Sequence, residues 1–212
     1  MKIEKISVGP LAANCYIVYD EYSRKGVVID PGDDAGNILA VIQKEKLHVT
    51  FILNTHGHID HIGANTILRE RTGAQIAIHE NERAFLSDEH LNGAALLGIP
   101  FTPHHPDLIL KDGQILQSGN ISLRVLHVPG HSPGSVAFHS DNALFSGDVL
   151  FKDSVGRTDL PGGSWEELCE SIRRRILLLE DETCVYPGHG EKTNIGLEKT
   201  HNTFVHTIVK LM

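Results

Sequence analysis

The sequence predicts an α+β fold, a sandwich of two β-sheets clad by helices within one domain. Three observations carry this reading. Short strand-like runs fall in two blocks, helix-spaced segments accompany each block, and 212 residues suffice to bury a sizeable core. In the first block KIEKISV and NCYIVYD alternate apolar and polar residues, as half-buried strands do. GVVIDPG and VTFILNT are continuous apolar runs closed by turn residues, the pattern of strands buried on both faces. Between them DAGNILAVIQKEKL sets Ile38, Leu39, Ile42 and Leu47 near helical spacing.

The second block comprises AQIAIHE, DLILKDGQIL, ISLRVLHV, GSVAFHS and NALFSGD. Within it, ENERAFLSDEHLNGAALLG reads as one or two short helices, with Leu96, Leu97 and Ile99 in the core or in a lid. Ser164 and Glu167 form a capping-box signature, after which Trp165, Leu168, Ile172 and Leu179 line one helix face. CVYPGHG is a last strand and turn, and NIGLEKTHNTF a terminal helix.

Composition bounds the function. Apolar residues make up 41% and charged residues 22%, ordinary values for a globular protein. The N-terminus lacks the continuous apolar stretch of a signal peptide, and no later run approaches membrane-spanning length. Cys15, Cys169 and Cys184 are odd in number, far apart and without a CxxC spacing, which suits reduced, buried thiols in a cytosolic protein. The net charge of −8 argues against a nucleic-acid partner, which would want a basic face. The expectation is a cytoplasmic protein acting on a small molecule, with no membrane partner; its oligomeric state is open.

The chemistry concentrates in LNTHGHIDHIG, which holds His56, His58, Asp60 and His61 directly after a buried run. In an extended segment residues two apart point the same way, so His56 and His58 can address one point. Asp60 and His61 lie beyond, where the chain bends towards a helix starting near Ile62, and can address a second. Imidazole and carboxylate suit zinc, iron or manganese. Three later sites share one grammar of apolar strand, small residue, ligand-type side chain and turn: His131 in VPGHSPG, Asp148 in FSGD and His189 in YPGHG. Seven candidate ligands are too many for one zinc, which takes three protein ligands plus water in catalytic sites, and suffice for two if one carboxylate bridges.

THGHIDH, PGHSPGS, SGD and PGHG, with the early VVIDPG, resemble the motif set of the metallo-β-lactamase superfamily, and most nearly its short glyoxalase II (hydroxyacylglutathione hydrolase) branch. The resemblance runs from about Asn14 to Gly190. It implies an αββα sandwich of two mixed sheets with the site at one edge between them. It also implies that His56, His58 and His131 hold one metal and that Asp60, His61 and His189 hold the other. Asp148 would bridge the two together with a water or hydroxide, and Asp30 would steady the ligand loop. Two divalent ions are therefore the implied cofactors, zinc in the first place, with iron or manganese also accepted by such ligands. Metal ions about 3.5–4 Å apart generate hydroxide near neutrality and polarise a carbonyl. A thiolate leaves with little acid help because its pKa is about 8.5. The implied reaction is thus hydrolysis of a thioester such as S-lactoylglutathione, with Asp60 and Asp148 positioning the hydroxide as ligands and neither serving as general base.

Other branches fit less well. A secreted β-lactamase would want a signal peptide and, in the commonest subclasses, a cysteine where this chain has Asp148. Nucleic-acid-processing branches carry an extra domain and basic surfaces. The chain reads as a single domain over residues 1–212, without the C-terminal helical segment by which longer glyoxalase II enzymes bind glutathione, which leaves the thiol half open. Two alternatives stay in view. One is a persulfide dioxygenase with a single iron on His56, His131 and Asp148, since SVGRTDLPGG resembles both branches at its Gly-Arg-Thr-Asp core. The other is a metal-binding module without turnover. Arg157 is a candidate for gripping a substrate carboxylate or, equally, for a loop salt bridge, and Lys152 and Lys192 could attract an anion. His104 and His105, between prolines, read as a surface loop, and His127 and His139 as structural.

Overall fold

The computed structural model describes residues 1–210. The first sheet contains β1 (Lys2–Val8), β2 (Ala13–Tyr19), β3 (Lys25–Ile29), β4 (His48–Leu53), β5 (Gln75–His79) and β6 (Leu108–Leu110), in that spatial order. The pairs from β1 to β3 are antiparallel and those from β3 to β6 parallel. The second sheet runs β14 (Thr193–Asn194), β13 (Cys184–Pro187), β10 (Ala143–Gly147), β9 (Val136–Ser140), β8 (Ile121–His127) and β7 (Ile115–Ser118). Its β10–β13 pair is parallel and its other pairs antiparallel. A two-stranded ribbon, β11 (Leu150–Phe151) with β12 (Ser154–Val155), projects beside it.

Three apolar clusters make the layers. Between the sheets lie Tyr16, Val18, Val27, Ile29 and Leu53 from one side and Leu123, Val125, Phe138 and Phe145 from the other. On the outer face of the first sheet, Ile38 and Ile42 of α1 (Ala35–Lys44), Ile62 of α2 (Ile59–Ile62) and Leu68 of α3 (Asn65–Thr72) cover Cys15, Ile17, Val28 and Ile52. On the outer face of the second, Leu168 of α5 (Trp165–Ser171), Ile172 and Ile176 of the π-helical turn that continues it, and Val205 and Ile208 cover Leu126, Leu144 and Val185. The fold is therefore the expected helix–sheet–sheet–helix sandwich of two mixed sheets.

Several local expectations change. β2 is buried along its whole length, not half-buried. Its side chains alternate between two apolar layers, Cys15 and Ile17 outward, Tyr16 and Val18 inward, so Asn14 and Tyr16 are polar groups with buried partners. AQIAIHE and DLIL extend the first sheet as β5 and β6, because α3 returns the chain to lie parallel to β4. DLILKDGQIL is split at its Lys-Asp-Gly turn into β6 and β7, which belong to different sheets. The long helix after Ser164 begins as expected, the Ser164 hydroxyl accepting from the Glu167 amide, but Trp165 is partly exposed and Leu179 lies beyond the π turn. The terminal helix is two, α6 (Ile195–His201) and α7 (Thr203–Lys210), divided at Asn202, whose side-chain oxygen caps the Phe204 amide at 2.9 Å. Among the described residues no helix is long and apolar enough to cross a membrane.

Candidate metal centre

Four chain segments deliver polar side chains to one edge of the sandwich. β4 runs from buried Leu53 through Asn54 and Thr55 into His56 and His58, and α2 then carries Asp60 and His61. The turn between β8 and β9 carries His131, the end of β10 carries Asp148, and the end of β13 carries His189. This is the strand-end grammar read in the sequence, now converging in space.

Asp30 organises the first segment. It follows β3 with φ of 52°, and its carboxylate accepts from the Thr55 amide and the Thr55 hydroxyl, both at 2.7 Å. His61 Nδ1 lies 3.1 Å from the same Asp30 Oδ2. These bonds fix tautomers. Thr55 has one hydroxyl proton and spends it on Asp30, so at 3.0 Å it can only accept from His56 Nδ1. The lone pair of His56 therefore sits on Nε2, which is buried without a hydrogen-bond partner among the described residues. His61 likewise donates from Nδ1 and presents Nε2. His131 donates Nδ1–H to the Arg157 carbonyl at 2.8 Å and presents Nε2. Such partners orient imidazoles that bind metals.

The presented atoms form two groups. The donor atoms of His56, His58 and His131 lie within 4.8 Å of one another, and so do those of Asp60, His61 and His189. His58 Nδ1 stands 3.0 Å from His131 Nε2, and His61 Nε2 stands 3.3 Å from His189 Nε2. Asp148 lies between the groups: Oδ1 is 3.6 Å from His61 Nε2, and Oδ2 is 3.7 Å from His131 Nε2 and 3.6 Å from His189 Nε2. Its buried Oδ1 has no hydrogen-bond partner among the described residues. Asp30, His56 and His61 also come together, but the Asp30 oxygens are already taken by Thr55 and His61.

Burial and neighbouring charges set the protonation of the site. Burial holds His56 and His58 neutral, His56 well below its ordinary value and His58 at about 3, and neighbouring imidazoles add to the effect. Burial also lowers His131. Burial works against the Asp60 charge, yet His61 and His189 outweigh it and hold this carboxyl well below the usual range. Burial opposes a charge on His61, but its carboxylate neighbours raise its pKa to about 10, and a bound cation would displace that proton. Neutral His56, His58 and His131 beside an ionised Asp60, with orphaned buried atoms on His56, His58 and Asp148, make a donor set that fits divalent cations.

Two supports had no signal in the local sequence pattern. Glu82 is fully buried, and its carboxylate accepts the Gly57 amide at 2.8 Å and the Gly134 amide at 2.7 Å, tying the His56–His61 segment to the His131 turn. Gly57 has no space for a side chain: a Cβ there would stand 2.4 Å from Phe85 Cβ. The His189 turn is held by β2, with Asn14 donating to the Pro187 and Gly190 carbonyls at 2.9 and 3.0 Å and the Tyr16 hydroxyl donating to Pro187 at 2.7 Å. A Cβ on Gly188 would stand 2.1 Å from Asp148 Oδ1.

The anion-gripping candidates are placed differently. Arg157 borders the cavity over the site, but its guanidinium is closed on Asp159 by two bonds of 2.7 Å. Lys152 pairs with Glu191 at 2.6 Å, and Lys192 lies by a separate depression with Tyr16 and Tyr186; neither lines the cavity. His104 is buried, against expectation, with Nε2 3.1 Å from Asn65 Nδ2, and stays clear of the mouth. His127 stacks on His79 with ring centroids 4.2 Å apart.

The sequence profile of the metallo-beta-lactamase superfamily matches residues 8–189. The chain belongs to the metallo-beta-lactamase superfamily. Among superfamily relatives, the probable metallo-hydrolase YqgX of Bacillus subtilis is 38% identical, over 97% of this chain and 98% of the relative. The hydroxyacylglutathione hydrolase GloC of Haemophilus influenzae is 36% identical, over 98% of this chain and 99% of the relative. In three dimensions the crystal structure of the BLEG-1 B3 metallo-beta-lactamase superposes with a TM-score of 0.92 at 41% identity, covering 96% of this chain and 99% of that one. TTHA1623 in a di-iron-bound form gives 0.86 at 40% identity, covering 95% and 99%. The superfamily and these metallo-hydrolase names support a metal-dependent hydrolase.

Proposed function

We propose that this metallo-hydrolase cleaves thioesters in the manner of glyoxalase II. His56, His58 and His131 would hold one divalent cation and Asp60, His61 and His189 a second, with Asp148 between them. The observation that carries the proposal is the place of Asp148, within 3.7 Å of imidazole nitrogens from both groups and with a buried oxygen that lacks a partner. The di-iron-bound neighbour supports a pair of ions, and the ligand chemistry suits zinc, iron or manganese.

When bound, two such cations acidify a water and polarise a carbonyl. The chain's own residues supply orientation. Asp30 and Thr55 fix the faces of His56 and His61, and the Arg157 carbonyl fixes that of His131. Asp60, held ionised, serves as a ligand and is a poor base. A thioester asks least of such a site, because its thiolate departs without a proton donor.

The BLEG-1 likeness favours a second reading, opening of a β-lactam by the same residues. The test compares metal-loaded protein on two thioesters, S-lactoylglutathione and an acyl-N-acetylcysteamine, on a chromogenic cephalosporin and on glutathione persulfide with oxygen uptake recorded. Thioester cleavage well above the other two supports the proposal. Faster β-lactam opening supports the second reading, and oxygen consumption with sulfite release overturns both.

A further inference from the structure

A cavity of about 560 Å³ opens over the metal centre. Outside the candidate ligands its walls are largely apolar, with Leu91, Leu96 and Leu97 from one segment and Phe151, Val155 and Leu160 from another, and with His90, Asn92, Ser154 and Arg157 as the polar members. Leu96 is 80% exposed and Leu97 48% exposed on α4 (Ala94–Leu97), and Leu11, 42% exposed, also lines the cavity. Large apolar side chains left in water around a concave site mark a surface that an apolar ligand covers.

The charged groups point the same way. Among the described residues Arg157 is the one Lys or Arg side chain in the lining, and Asp159 occupies its guanidinium in bidentate fashion. Lys152 and Lys192 lie outside the lining. A glutathione thioester would bring two carboxylates and an ammonium to walls whose one guanidinium among the described residues is already paired with Asp159 and whose other polar side chains outside the ligands are His90, Asn92 and Ser154. A charge brought there without a partner is costly. An uncharged acyl chain or thiol arm would meet leucine, phenylalanine and valine.

Resting on the thioester reading, we infer that the preferred substrates are thioesters with apolar, uncharged arms, and that glutathione is not the thiol half the cavity is shaped to take. Leu96 and Leu97 would cover the acyl chain from the α4 side.

The experiment uses metal-loaded protein and one acyl group on two thiols, hexanoyl-N-acetylcysteamine and hexanoylglutathione. The expected kcat/KM is at least about tenfold higher for the uncharged thioester. A higher value for the glutathione thioester overturns the inference. Calorimetry with the uncleavable thioethers S-hexyl-N-acetylcysteamine and S-hexylglutathione gives a readout independent of turnover. Tighter binding of the uncharged thioether is expected, and equal or weaker binding overturns the inference. If neither thioester is cleaved while the uncharged thioether still binds tighter, the thioester reading fails and the apolar specificity of the cavity stands. Leu96→Asp should weaken uncharged-thioether binding about tenfold at unchanged metal content; unchanged binding contradicts the place given to Leu96.

Discussion

Glu82 accepts the Gly57 amide proton at 2.8 Å from 25 residues further along the chain, and its other oxygen accepts Gly134. One buried carboxylate thereby sets the spacing between His56 and His58 on one side and His131 on the other. Glu82→Gln keeps the shape but replaces one acceptor with a donor facing an amide. The loss expected is about 1–3 kcal/mol of stability, the cost of a buried unsatisfied group. A weakening of metal binding by about 10–100-fold should accompany it, as for groups that orient ligands. Denaturant unfolding and chelator competition measure the two effects, and a variant that binds metal like the parent contradicts this role.

Thr55 relays Asp30 to His56. Thr55→Val removes the hydroxyl and frees His56 Nδ1 from its fixed role as donor. Metal affinity should fall about tenfold or more. Nitrogen NMR of the metal-free variant should show His56 in mixed tautomers, and retention of a single Nδ1–H form would argue against the relay.

His61 should make the metal-free protein pH-sensitive. Burial opposes its charge, but Asp60, Asp148 and Asp30 outweigh burial and push its pKa up to about 10. A raised folded value means the imidazolium stabilises the fold fully below the ordinary pKa of about 6.5, and that this contribution fades as pH rises through about 10. Metal-free protein should therefore lose stability across that window, and His61→Gln should flatten the profile. Metal uptake near pH 8 should release about one proton from this site, readable by calorimetry in buffers of different ionisation heat. A flat stability profile or no proton release would contradict the assignment.

Gly188→Ala places a Cβ 2.1 Å from Asp148 Oδ1 and 2.8 Å from His61 Cε1. Relief requires moving the carboxylate between the two groups or the β13 turn. About 1–3 kcal/mol of strain and loss of at least about 100-fold in hydrolysis are expected. Near-parental activity would show that Asp148 tolerates displacement.

The site was more legible than the fold. His56, His58, Asp60, His61, His131, Asp148 and His189 each stand beside a strand-end or turn signal, so their convergence could be read from spacing and type. Asp30 was legible only through the family resemblance, because its Asp-Pro-Gly setting by itself reads as a plain turn. Glu82 was not, because it sits in an ordinary acidic run and its partners Gly57 and Gly134 offer only backbone amides. Tyr16 and Asn14 looked like the polar face of a half-buried strand, whereas that face meets the second sheet and the His189 turn. The sheet membership of β5 and β6 depends on how α3 packs, a long-range matter that local alternation does not encode. Lys152 and Lys192 follow ligands in sequence, but Lys152 pairs with Glu191 and Lys192 lines a separate depression, placements that spacing alone does not encode.

The central claim is that one carboxylate, Asp148, stands between two separate cation sites, and Asp60→Ala tests it most directly. Metal analysis should give two ions per chain in the parent and one in the variant, because Asp60, His61 and His189 lose their only unshared carboxylate. Thioester hydrolysis should fall by at least about 100-fold. A parent that holds a single ion, or an Asp60→Ala variant with undiminished metal content and hydrolysis, would contradict it.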